Sequence, residues 1–451
     1  MKISVIGTGY VGLVTGTCFA ETGNQVLCMD VDPRKIAMLE KGKSPIFEPG
    51  LQELIARNVK EKRLSFTTII AGAVNRSSVI FLALPTPPHE DGSADLSHVM
   101  NASAQIAQLI KEPKIIVIKS TVPVGTNQLV RQVFAKETKV PVTVVSNPEF
   151  QKQGAAVQDF MSPDRVVVGT SDSAAEEVMR ELYSPFMRAS DRFIIMDELS
   201  AEMTKYAANT FLAMKISFIN EISRLCDAVG ADVEMVRRGI SADPRIGRQF
   251  LFPGVGFGGS CFPKDVKALI KTGELRGVQM RITSAALEVN ETQKEFFVEK
   301  IRNHFGGQLR NKLFAVWGLS YKPKTDDMRE APATSIVRAI LREGADVFAY
   351  DPVAVENARR TFKENIGRAE TEKGKVSGKL KFVENPYEAL NGADAMILVT
   401  EWQEFREPDF DRMKSLMRGR VIFDGRNLYN PRKVKTMGFQ YFGIGRRSQQ
   451  P

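Results

Sequence analysis

The sequence contains little histidine for a chain of 451 residues. Its three histidines, His89, His98 and His304, do not stand at a spacing that metal ligands use. A catalytic zinc site or a histidine-based hydride-transfer site therefore has little support. Acid–base chemistry must then come from lysine, aspartate, glutamate or cysteine side chains.

Cysteine is also scarce. Cys18, Cys28, Cys226 and Cys261 form neither a Cys-x-x-Cys motif nor a disulfide framework, which is typical of a reducing compartment and gives no sign of a structural zinc. No apolar run is long enough to cross a bilayer. The chain begins directly with a strand-like segment, which leaves no room for a signal peptide. We therefore expect a cytoplasmic protein without membrane contact.

Positive charge exceeds negative charge, with 62 lysines and arginines against 53 aspartates and glutamates. The basic residues are spread along the chain and alternate with acids, so nucleic acid is not the expected partner. Small anionic ligands explain the excess better. The length is too great for one hydrophobic core and predicts two or three domains.

A glycine-rich turn near the amino terminus has the pattern of a dinucleotide site. An apolar strand, the turn Gly7-Thr-Gly9-Tyr-Val-Gly12, a helix and a second strand that ends in Asp30 follow one another. Gly7 suits the tight turn, Gly9 the approach of a pyrophosphate, and Gly12 the packing of the helix. Asp30 can hold the adenosine ribose, and an acid there favours NAD over NADP.

Three further apolar strands each end in a polar or proline-containing turn. They are predicted at residues 79–84, 115–119 and 142–145. Because open α/β sheets bind ligands at the carboxyl ends of their strands, Thr86, Thr121 and Glu149 are candidate site residues. Turn chemistry alone also explains each of them.

A single cysteine stands between a glycine-rich approach and a helix-start signal. Gly254-Val-Gly-Phe-Gly-Gly-Ser-Cys-Phe-Pro-Lys-Asp265 places Cys261 close before Pro263, which suits the first position of a helix, and near Lys264. The positive end of a helix dipole and a nearby ammonium both favour a thiolate. Cys261 is thus predicted to be a nucleophile, the alternative being a packed, inert thiol.

A long helix is predicted from Ser200 to about Val229, and helical sequence continues to about Asn303 with a break at 241–262. Lys205 and Asn209 share one face of the long helix, either as a solvated pair or within a site. Another face carries Met203, Ala207, Thr210, Phe211, Met214, Phe218 and Ile222.

The last third of the chain repeats the pattern of the first. An apolar strand breaks at Gly318, and residues 344–351 mirror residues 23–30. The second copy lacks Gly-x-Gly-x-x-Gly, so it should hold a different phosphate ligand. The basic and hydroxyl groups of 321–325 and Arg426 suit a pyrophosphate, unless that loop is merely solvated. Two α/β sheets therefore flank a helical middle.

A nicotinamide cofactor and a cysteine nucleophile together indicate one kind of chemistry. The thiol can hold an aldehyde as a thiohemiacetal, whose oxidation gives a thioester that water converts to a carboxylate. These steps need a base, a cation for the developing alkoxide and an oxyanion donor. The candidate groups are Cys261, Lys205, Asn209, Asp265, Thr121 and Glu149.

Motifs along almost the whole chain carry a family resemblance. They are Gly7-Thr-Gly-Tyr-Val-Gly-Leu13, Ser120-Thr-Val-Pro123, Asn147-Pro-Glu-Phe150, Asp243-Pro-Arg-Ile-Gly247, Gly258-Gly-Ser-Cys-Phe-Pro-Lys-Asp265, Thr325-Asp-Asp-Met-Arg-Glu-Ala-Pro332 and Asp424-Gly-Arg426. In these motifs the chain resembles the UDP-glucose 6-dehydrogenases, within the wider family of nucleotide-sugar dehydrogenases. The resemblance implies oxidation of UDP-glucose at C6 to UDP-glucuronate with two NAD reduced.

The pattern and the resemblance together imply an α/β fold. Two Rossmann-like, doubly wound parallel-sheet domains are expected, joined by a helical central domain with a long helix. The implied domains are an NAD-binding domain over 1–198, a central domain over 199–305 and a UDP-sugar-binding domain over 306–451. The central domain carries the catalytic cysteine and is expected to form a homodimer.

The resemblance also implies roles for the candidate residues. Cys261 is the nucleophile. Asp265 and Lys205 assist proton transfer and water activation, and Lys205 and Asn209 steady the oxyanion.

Two further groups of residues align with ligand contacts, and within them Thr121 and Glu149 align with residues that hold the catalytic water. The implied NAD contacts are Gly7, Gly9, Tyr10, Val11, Gly12, Asp30, Lys35, Thr86, Thr121, Glu149, Lys264 and Arg329. The implied sugar-nucleotide contacts are Glu149, Phe150, Gln151, Lys205, Asn209, Arg245, Phe250, Phe257, Gly258, Lys322 and Arg426. Arg245 matches a residue that reaches the sugar bound by the neighbouring subunit.

One segment departs from the family pattern. Family members commonly read Asn-Pro-Glu-Phe-Leu-Arg-Glu-Gly, where this chain has Gln151 and Gln153 in place of the leucine and the second glutamate. Backbone contacts to the sugar nucleotide stay possible, but the side-chain packing changes, which leaves affinity and sugar choice open.

Other interpretations stay open as well. Base and sugar choice depend on side chains that spacing does not resolve, so a GDP-mannose or UDP-N-acetylhexosamine 6-dehydrogenase is an alternative, although Gln249-Phe-Leu-Phe-Pro-Gly254 favours UDP-glucose. A sugar-nucleotide sensor without turnover would keep both Rossmann-like domains, but it would not need Cys261 or Lys205. A hydroxyacyl or phosphogluconate dehydrogenase would need neither Cys261 nor a second α/β domain.

Overall fold

The computed structural model describes residues 1–187, 192–372 and 378–446. The last residues of the predicted third domain, 447–451, lie outside this description. The chain divides into two compact units, Met1–Ala208 with Ala268–Val278 and Asn209–Lys267 with Gln279–Pro451. The division into three domains stays a prediction. None of the helices in the described ranges combines the length and the apolar character that crossing a bilayer requires.

The first unit contains an eight-stranded sheet. Its strands are β1 (Lys2–Ile6), β2 (Gln25–Met29), β3 (Leu64–Thr67), β4 (Val79–Leu82), β5 (Lys114–Ile118), β6 (Val142–Ser146), β7 (Val166–Gly169) and β8 (Phe193–Met196). They lie in the order β3-β2-β1-β4-β5-β6-β7-β8 and pair in parallel except for the antiparallel pair β6–β7. The first six strands thus have the doubly wound order, and their carboxyl ends share one edge.

Helices cover this sheet, which explains why its strands are nearly continuous apolar runs. The helices are α1 (Tyr10–Glu21), α2 (Pro33–Glu40), α3 (Leu51–Lys60), α4 (Ile70–Arg76), α5 (Ser97–Leu109), α6 (Thr126–Glu137), α7 (Ala156–Met161) and α8 (Ser173–Tyr183). A 3-10 turn follows at Ser184–Phe186. Phe19 is the centre of an aromatic cluster in the core, with its ring 5.2 Å from that of Phe81 and 5.1 Å from that of Phe160.

Four long or medium helices make up the middle of the chain. They are α9 (Glu198–Val229), α10 (Val233–Ser241), α11 (Phe262–Leu275) and α12 (Arg281–His304). The predicted long helix is confirmed and begins two residues earlier than expected. Helix α11 begins at Phe262, so Pro263 is its second residue and not its first.

The second unit contains a six-stranded sheet whose described pairs are all parallel. Its strands are β9 (Leu313–Trp317), β10 (Asp346–Tyr350), β11 (Leu380–Phe382), β12 (Ala395–Leu398), β13 (Val421–Asp424) and β14 (Gln440–Phe442). The helices are α13 (Pro332–Arg342), α14 (Val355–Glu372), α15 (Pro386–Ala389), α16 (Phe410–Leu416) and α17 (Pro431–Thr436), with a 3-10 turn at Gln403–Phe405. The order β11-β10-β9-β12-β13-β14 repeats that of the first six strands of the first sheet. The predicted α/β fold with two such sheets and a long helix is confirmed.

Helix α9 buries several polar residues and exposes several large apolar ones. Lys205 and Asn209 are buried, whereas Phe211, Phe218 and Leu225 are 57%, 47% and 59% exposed. The interpretation of Lys205 and Asn209 as a solvated pair is therefore wrong.

Glu202, near the start of α9, caps another helix. Its Oε2 accepts the Gly125 N–H at 2.6 Å and its Oε1 accepts the Asn127 N–H at 2.7 Å, which satisfies donors at the amino terminus of α6. Burial raises the pKa of Glu202 to about 7, although these N–H groups act in the opposite direction. The carboxyl group therefore binds its proton more tightly in the folded than in the unfolded chain.

This pKa shift predicts how stability changes with pH. Because the folded-state pKa lies above the unfolded value, the stabilisation is fully present at low pH and is lost as the pH rises through about 7. Relative to Glu202→Gln, the unaltered protein should lose on the order of 3 kcal/mol of unfolding free energy between about pH 5 and about pH 8. Urea unfolding of both proteins across this range measures the difference. Glu177→Gln, at an exposed position, is the control, and its difference in unfolding free energy from the unaltered protein should not change with pH. If the difference for Glu202→Gln is also independent of pH, the assignment is contradicted.

Candidate active site

The glycine turn of the first unit has the shape that its sequence predicts. Gly7 has a φ of 102°, and a Cβ on it would overlap the carbonyl oxygen of Ala83. A Cβ on Gly12 would overlap the carbonyl oxygen of Gly7, so the helix α1 packs directly on the turn. Gly9, the N-cap of α1, has open space where a Cβ would stand. The turn therefore presents a helix amino terminus to open space, which suits a phosphate group.

Asp30 follows β2 and holds this turn. Its Oδ2 accepts the N–H and the hydroxyl of Thr8 at 2.9 and 2.7 Å, and its Oδ1 accepts the Asp32 N–H at 3.0 Å. Burial acts to raise the pKa of Asp30, but these hydrogen bonds and Lys35, whose Nζ lies 3.7 Å away, lower it overall. Asp30 is thus an ionised acceptor at the edge where a ribose is predicted.

Side chains connect the carboxyl ends of β4 and β5. The Thr86 hydroxyl donates to the Thr121 carbonyl oxygen at 2.9 Å. Ser120 Oγ accepts the Leu84 N–H at 2.8 Å and donates to the Leu84 carbonyl at 2.7 Å. The structure thus brings Thr86 and Thr121, which were predicted only as candidate residues at strand carboxyl ends, into direct contact.

Glu149 follows β6 and is buried, with 5% of its surface exposed. Its Oε1 accepts the N–H of Gln151. Its Oε2 lies 3.4 Å from Lys119 Nζ but accepts no hydrogen bond within the described ranges. The lone pairs of Oε2 can therefore accept a hydrogen bond from a water or a ligand.

The ring of Phe150 contacts two cations. The Lys205 Nζ lies 5.1 Å from the ring centroid, and the Arg165 guanidinium carbon lies 4.1 Å from it. Lys205 is only 5% exposed. The aromatic ring therefore gives this buried ammonium an apolar support that does not occupy its hydrogen-bond donors.

The departure from the family pattern lies beside Phe150. The side-chain oxygen of Gln151 is buried and has no hydrogen-bond partner in the described part of the chain. Both Gln151 and Gln153 are half-buried. The side chains that replace the family's leucine and glutamate thus belong to the inner part of this loop.

In the second unit Cys261 directly precedes α11, and its side chain is exposed. The Asp265 N–H donates to the Cys261 carbonyl at 2.8 Å, which closes the first turn. Asp265 is 1% exposed, and its two oxygens accept from Asn209 Nδ2 and Lys264 Nζ, both at 2.6 Å. The structure thus joins Asn209, Lys264 and Asp265 one turn from an accessible thiol.

Three buried amides hold the glycine-rich loop before Cys261. Asn290 accepts the Phe257 N–H at 2.7 Å and donates to the Phe257 carbonyl at 3.1 Å. Asn220 accepts the Gly254 N–H at 2.8 Å, and Gln293 donates to the Gly254 carbonyl at 2.9 Å. Because each amide is at most 1% exposed, breaking one would leave buried backbone groups unsatisfied. The loop is therefore fixed without any ligand.

Arg426 extends into the same part of the second unit. Its Nε donates to the Val399 carbonyl at 2.7 Å and lies 3.2 Å from a carboxylate oxygen of Glu401. Its terminal nitrogens lie 3.4 Å from the Gly256 carbonyl and 3.3 Å from the Tyr321 carbonyl. The guanidinium therefore joins the glycine-rich loop to the segment that carries Lys322.

The remaining predicted residues of the second unit lie in different surroundings. Phe250 has a φ of 63°, and its ring and that of Phe257 lie 6.0 and 5.9 Å from the ring of Phe262. Arg329 is paired with Asp327 at 2.6 Å. Arg245 is paired with Asp243 at 2.6 Å and its side chain is 87% exposed, so it contributes to no buried cluster of its own chain.

The second sheet has an acid where the first has Asp30. Asp351 accepts the Leu319 and Ser320 N–H groups at 2.8 and 3.0 Å and the Trp402 indole N–H at 3.1 Å. Its other oxygen accepts the Val353 and Ala354 N–H groups. Asp351 is 1% exposed and saturated with donors. It holds the turn but is closed to a ribose, which agrees with the lack of a dinucleotide motif.

Sequence reasoning missed several residues that hold the site. They are Glu48, Lys119, Asn220, Asn290, Gln293 and Trp402. Glu48, for example, accepts the Gly154 and Ala156 N–H groups at 2.6 and 2.7 Å and a hydrogen bond from the Tyr10 hydroxyl, so it joins the glycine turn to the loop after Phe150. Asn290 and Gln293 are polar residues among apolar ones on the buried face of α12, and this pattern is the sequence signal that could have identified them.

Comparison with known proteins identifies relatives of the whole chain. Residues 1–187, 199–292 and 315–431 match the NAD binding, central and UDP binding domains of the UDP-glucose/GDP-mannose dehydrogenase family. UDP-glucose 6-dehydrogenase of Rhizobium meliloti is 47% identical, covering 99% of this chain and 100% of the relative. That of Pseudomonas aeruginosa is 45% identical, covering 99% and 98%. A UDP-glucose dehydrogenase structure from Pyrobaculum islandicum has a TM-score of 0.89 at 36% identity, covering 99% and 98%.

The four thiols are predicted to differ in reactivity. Burial raises the pKa of Cys18 and Cys226 and that of Cys28 to about 12, whereas Cys261 is exposed. Iodoacetamide should therefore add one carboxamidomethyl group to the native protein, at Cys261, and four after unfolding. Intact mass and peptide mapping measure the adducts. Native Cys261→Ser should take up none, and early labelling of another cysteine would contradict the prediction.

Proposed function

The chain belongs to the UDP-glucose/GDP-mannose dehydrogenase family, and from this we propose that it oxidises UDP-glucose at C6 to UDP-glucuronate with two NAD reduced. The observation that carries the proposal is an accessible thiol, Cys261, one helical turn from the buried group of Asp265, Asn209 and Lys264. A thiol at the start of a helix is suited to attack a carbonyl carbon. Relatives at 45% and 47% identity bear the same activity in their names.

The first unit fits NAD. The open space at Gly9 and the close packing at Gly7 and Gly12 suit a pyrophosphate at the start of α1, and the ionised Asp30 suits a ribose diol. Thr86 would contact the same cofactor. NAD, when bound, supplies the two-electron acceptor for each of the two oxidations.

The chain's own residues account for the bonds that form and break. In the first oxidation Lys205 assists removal of the C6 hydroxyl proton, and C6 becomes an aldehyde. The Cys261 sulfur then bonds to C6 and gives a thiohemiacetal, whose oxidation leaves a thioester. The ammonium of Lys205 and the amide of Asn209 steady the oxyanion.

Hydrolysis of the thioester completes the reaction. Thr121 and Glu149 hold the water, and Asp265 assists its activation as the base. The water oxygen bonds to C6, the C6–sulfur bond breaks, and the product carboxylate leaves while Cys261 is restored. The aldehyde stays attached to the protein between the oxidations, which explains why a cysteine is needed.

The second unit supplies groups for the sugar nucleotide. Arg426 and Lys322 suit the pyrophosphate, and the backbone of the loop that Asn220, Asn290 and Gln293 hold suits the sugar. Both oxygens of Asp351 already accept hydrogen bonds from the protein, so this carboxylate is not a ribose ligand in this unit. These features support a sugar nucleotide as the substrate, and the names of the relatives favour UDP-glucose.

The functional form is proposed to be a cytoplasmic homodimer. The exposed apolar face of α9, with Phe211, Phe218 and Leu225, is the surface that a second copy would cover. Arg245, which is 87% exposed in its own chain, would then reach the sugar bound by the neighbouring subunit. Four thiols without a disulfide support a reducing compartment.

The stoichiometry of NADH tests the proposed reaction. With excess NAD and limiting UDP-glucose, the protein should form two NADH per sugar nucleotide, because both oxidations occur on the bound carbon. Cys261→Ser should lose rapid net turnover while it keeps NAD binding, measured by fluorescence titration. Absorbance at the NADH band gives the count.

Each outcome separates one part of the proposal. One NADH per sugar in the unaltered protein would mean that the aldehyde leaves and that Cys261 does not capture it. If UDP-glucose gives no turnover but GDP-mannose or UDP-N-acetylglucosamine gives two NADH, the substrate assignment is wrong and the mechanism stands. Normal acid production by Cys261→Ser would contradict the thioester.

The apolar face of α9 predicts where a substitution should disrupt the proposed dimer. Phe218→Glu places a charge on that face, which should convert the dimer to a monomer without unfolding the chain, because Phe218 is 47% exposed. Light scattering measures the mass. Ile69→Glu, at another exposed apolar position, is the control and should stay dimeric. A dimer that persists in Phe218→Glu would move the interface elsewhere.

A further inference from the structure

Lys119 is a buried lysine that the proposed mechanism does not use. It follows β5 directly and precedes Ser120 and Thr121, and only 6% of its side chain is exposed. Its Nζ lies 3.3 Å from Asn147 Oδ1, 3.4 Å from the Tyr183 hydroxyl and 3.4 Å from Glu149 Oε2. Burying an ammonium costs folding free energy unless such partners surround it, so a lysine at this position needs an explanation beyond packing.

The partners fix Lys119 in one place. The Tyr183 hydroxyl donates to Asn147 Oδ1 at 2.6 Å, and Asn147 Nδ2 donates to the Val167 carbonyl at 2.8 Å on β7. Burial acts to lower the pKa of Lys119, but Tyr183 and Glu149 raise it overall, while burial raises the pKa of Tyr183. The group therefore contains a charged ammonium and a neutral phenol.

Glu149 supplies the carboxylate among the partners of Lys119. Its Oε1 is occupied by the Gln151 N–H, and its Oε2 faces Lys119 without accepting a directed hydrogen bond. Both side chains line a cavity that Asn147, Phe150 and Tyr183 also border. The charge of Glu149 is thus balanced by Lys119, while an oxygen of Glu149 remains open to accept a hydrogen bond.

We propose that Lys119 is a positioning residue for Glu149: its ammonium holds the buried side chain in an orientation in which Oε2 can bind the water that hydrolyses the thioester. The inference rests on the proposed function, since it assigns Glu149 to that water. Backbone N–H donors would also hold a carboxylate, but each would take an acceptor site on the oxygen that must bind water. An ion pair at 3.4 Å balances the charge and leaves that oxygen usable.

A purely structural role makes a different prediction. Lys119 also ties the ends of β5, β6 and β7 through Asn147, so its loss is expected to lower stability in either case. Only the positioning role requires that the effect of Lys119 on turnover pass through Glu149. The two roles separate when turnover is measured with and without the Glu149 carboxylate.

The experiment is a double-mutant cycle on steady-state turnover of UDP-glucose with NAD. Glu149→Gln should lower kcat by about a hundredfold, as for loss of a group that activates water. Lys119→Met should lower kcat by at least about tenfold with KM for NAD changed by less than about twofold. In the Glu149→Gln background, Lys119→Met should change kcat by less than about threefold, because the carboxylate it serves is gone.

Lys114→Met is a matched control on the same strand. Lys114 begins β5, its side chain is 2% exposed, and it pairs with Glu112 at 2.7 Å, away from the carboxyl edge of the sheet. This variant removes a buried ammonium as Lys119→Met does, although the partner Glu112 is 69% exposed, and it should keep the kcat of the unaltered protein. Equal losses of kcat in the two lysine variants would assign both effects to stability and overturn the proposal.

Two results would decide against the positioning role. A Lys119→Met effect that is as large in the Glu149→Gln background as in the unaltered protein would show independent action. If Lys119→Met does not fold, Tyr183→Phe, which removes one hydroxyl beside Nζ, takes its place in the cycle, and the same lack of coupling would overturn the proposal. Failure of the unaltered protein to oxidise UDP-glucose would instead count against the proposed function, so the two failures are distinct.

Discussion

Backbone donors at the ends of parallel strands need acceptors, and this requirement shapes both units of the chain. In the turn after β1, Thr8 donates its N–H and its hydroxyl to Asp30, and in the turn after β9, Leu319 and Ser320 donate their N–H groups to Asp351. The same solution leads to different chemistry in the two places. Asp30 keeps an edge position beside Lys35, whereas Trp402 completes the shell of Asp351 and closes it. Asp30 therefore lies at an edge where the proposed cofactor ribose would bind, whereas Asp351 serves the fold.

Buried side chains hold each loop of the site in the same manner. Asn290 and Gln293 pair with the backbone of the glycine-rich loop, and Glu48 pairs with the backbone after Phe150. Such networks are stabilising only when every member has a partner, because a buried unpaired group carries the full cost of desolvation. The loops are therefore held in place before any ligand binds, which is the arrangement that catalysis by positioned groups requires.

Regular elements could be predicted from the sequence far better than the contacts that hold the site. The strands predicted at 115–119 and 142–145 lie within one residue of the bounds of β5 and β6, because a short apolar run that ends in a polar turn determines a strand by itself. The placement of Thr86 and Thr121 after strand carboxyl ends also followed from the pattern of apolar runs and polar turns. Asn290 lies 33 residues from Phe257, and nothing local in the sequence indicates that its amide would reach that backbone. Long-range polar contacts depend on how whole elements pack, which periodicity does not encode.

Helix α9 shows why burial itself was hard to predict. Apolar periodicity normally identifies the inner face of a helix, yet here Lys205, Asn209 and Asn220 are inside while Phe211 and Phe218 are outside. The polar groups tolerate burial because each has a specific support: the ring of Phe150, the carboxylate of Asp265 and the N–H of Gly254. The described residues cover Phe211 and Phe218 only in part, and a monomer would leave the rest of each ring in water. In the proposed homodimer, one helix therefore positions catalytic groups on its inner side and joins the subunits on its outer side, so a change in α9 packing would affect assembly and catalysis together.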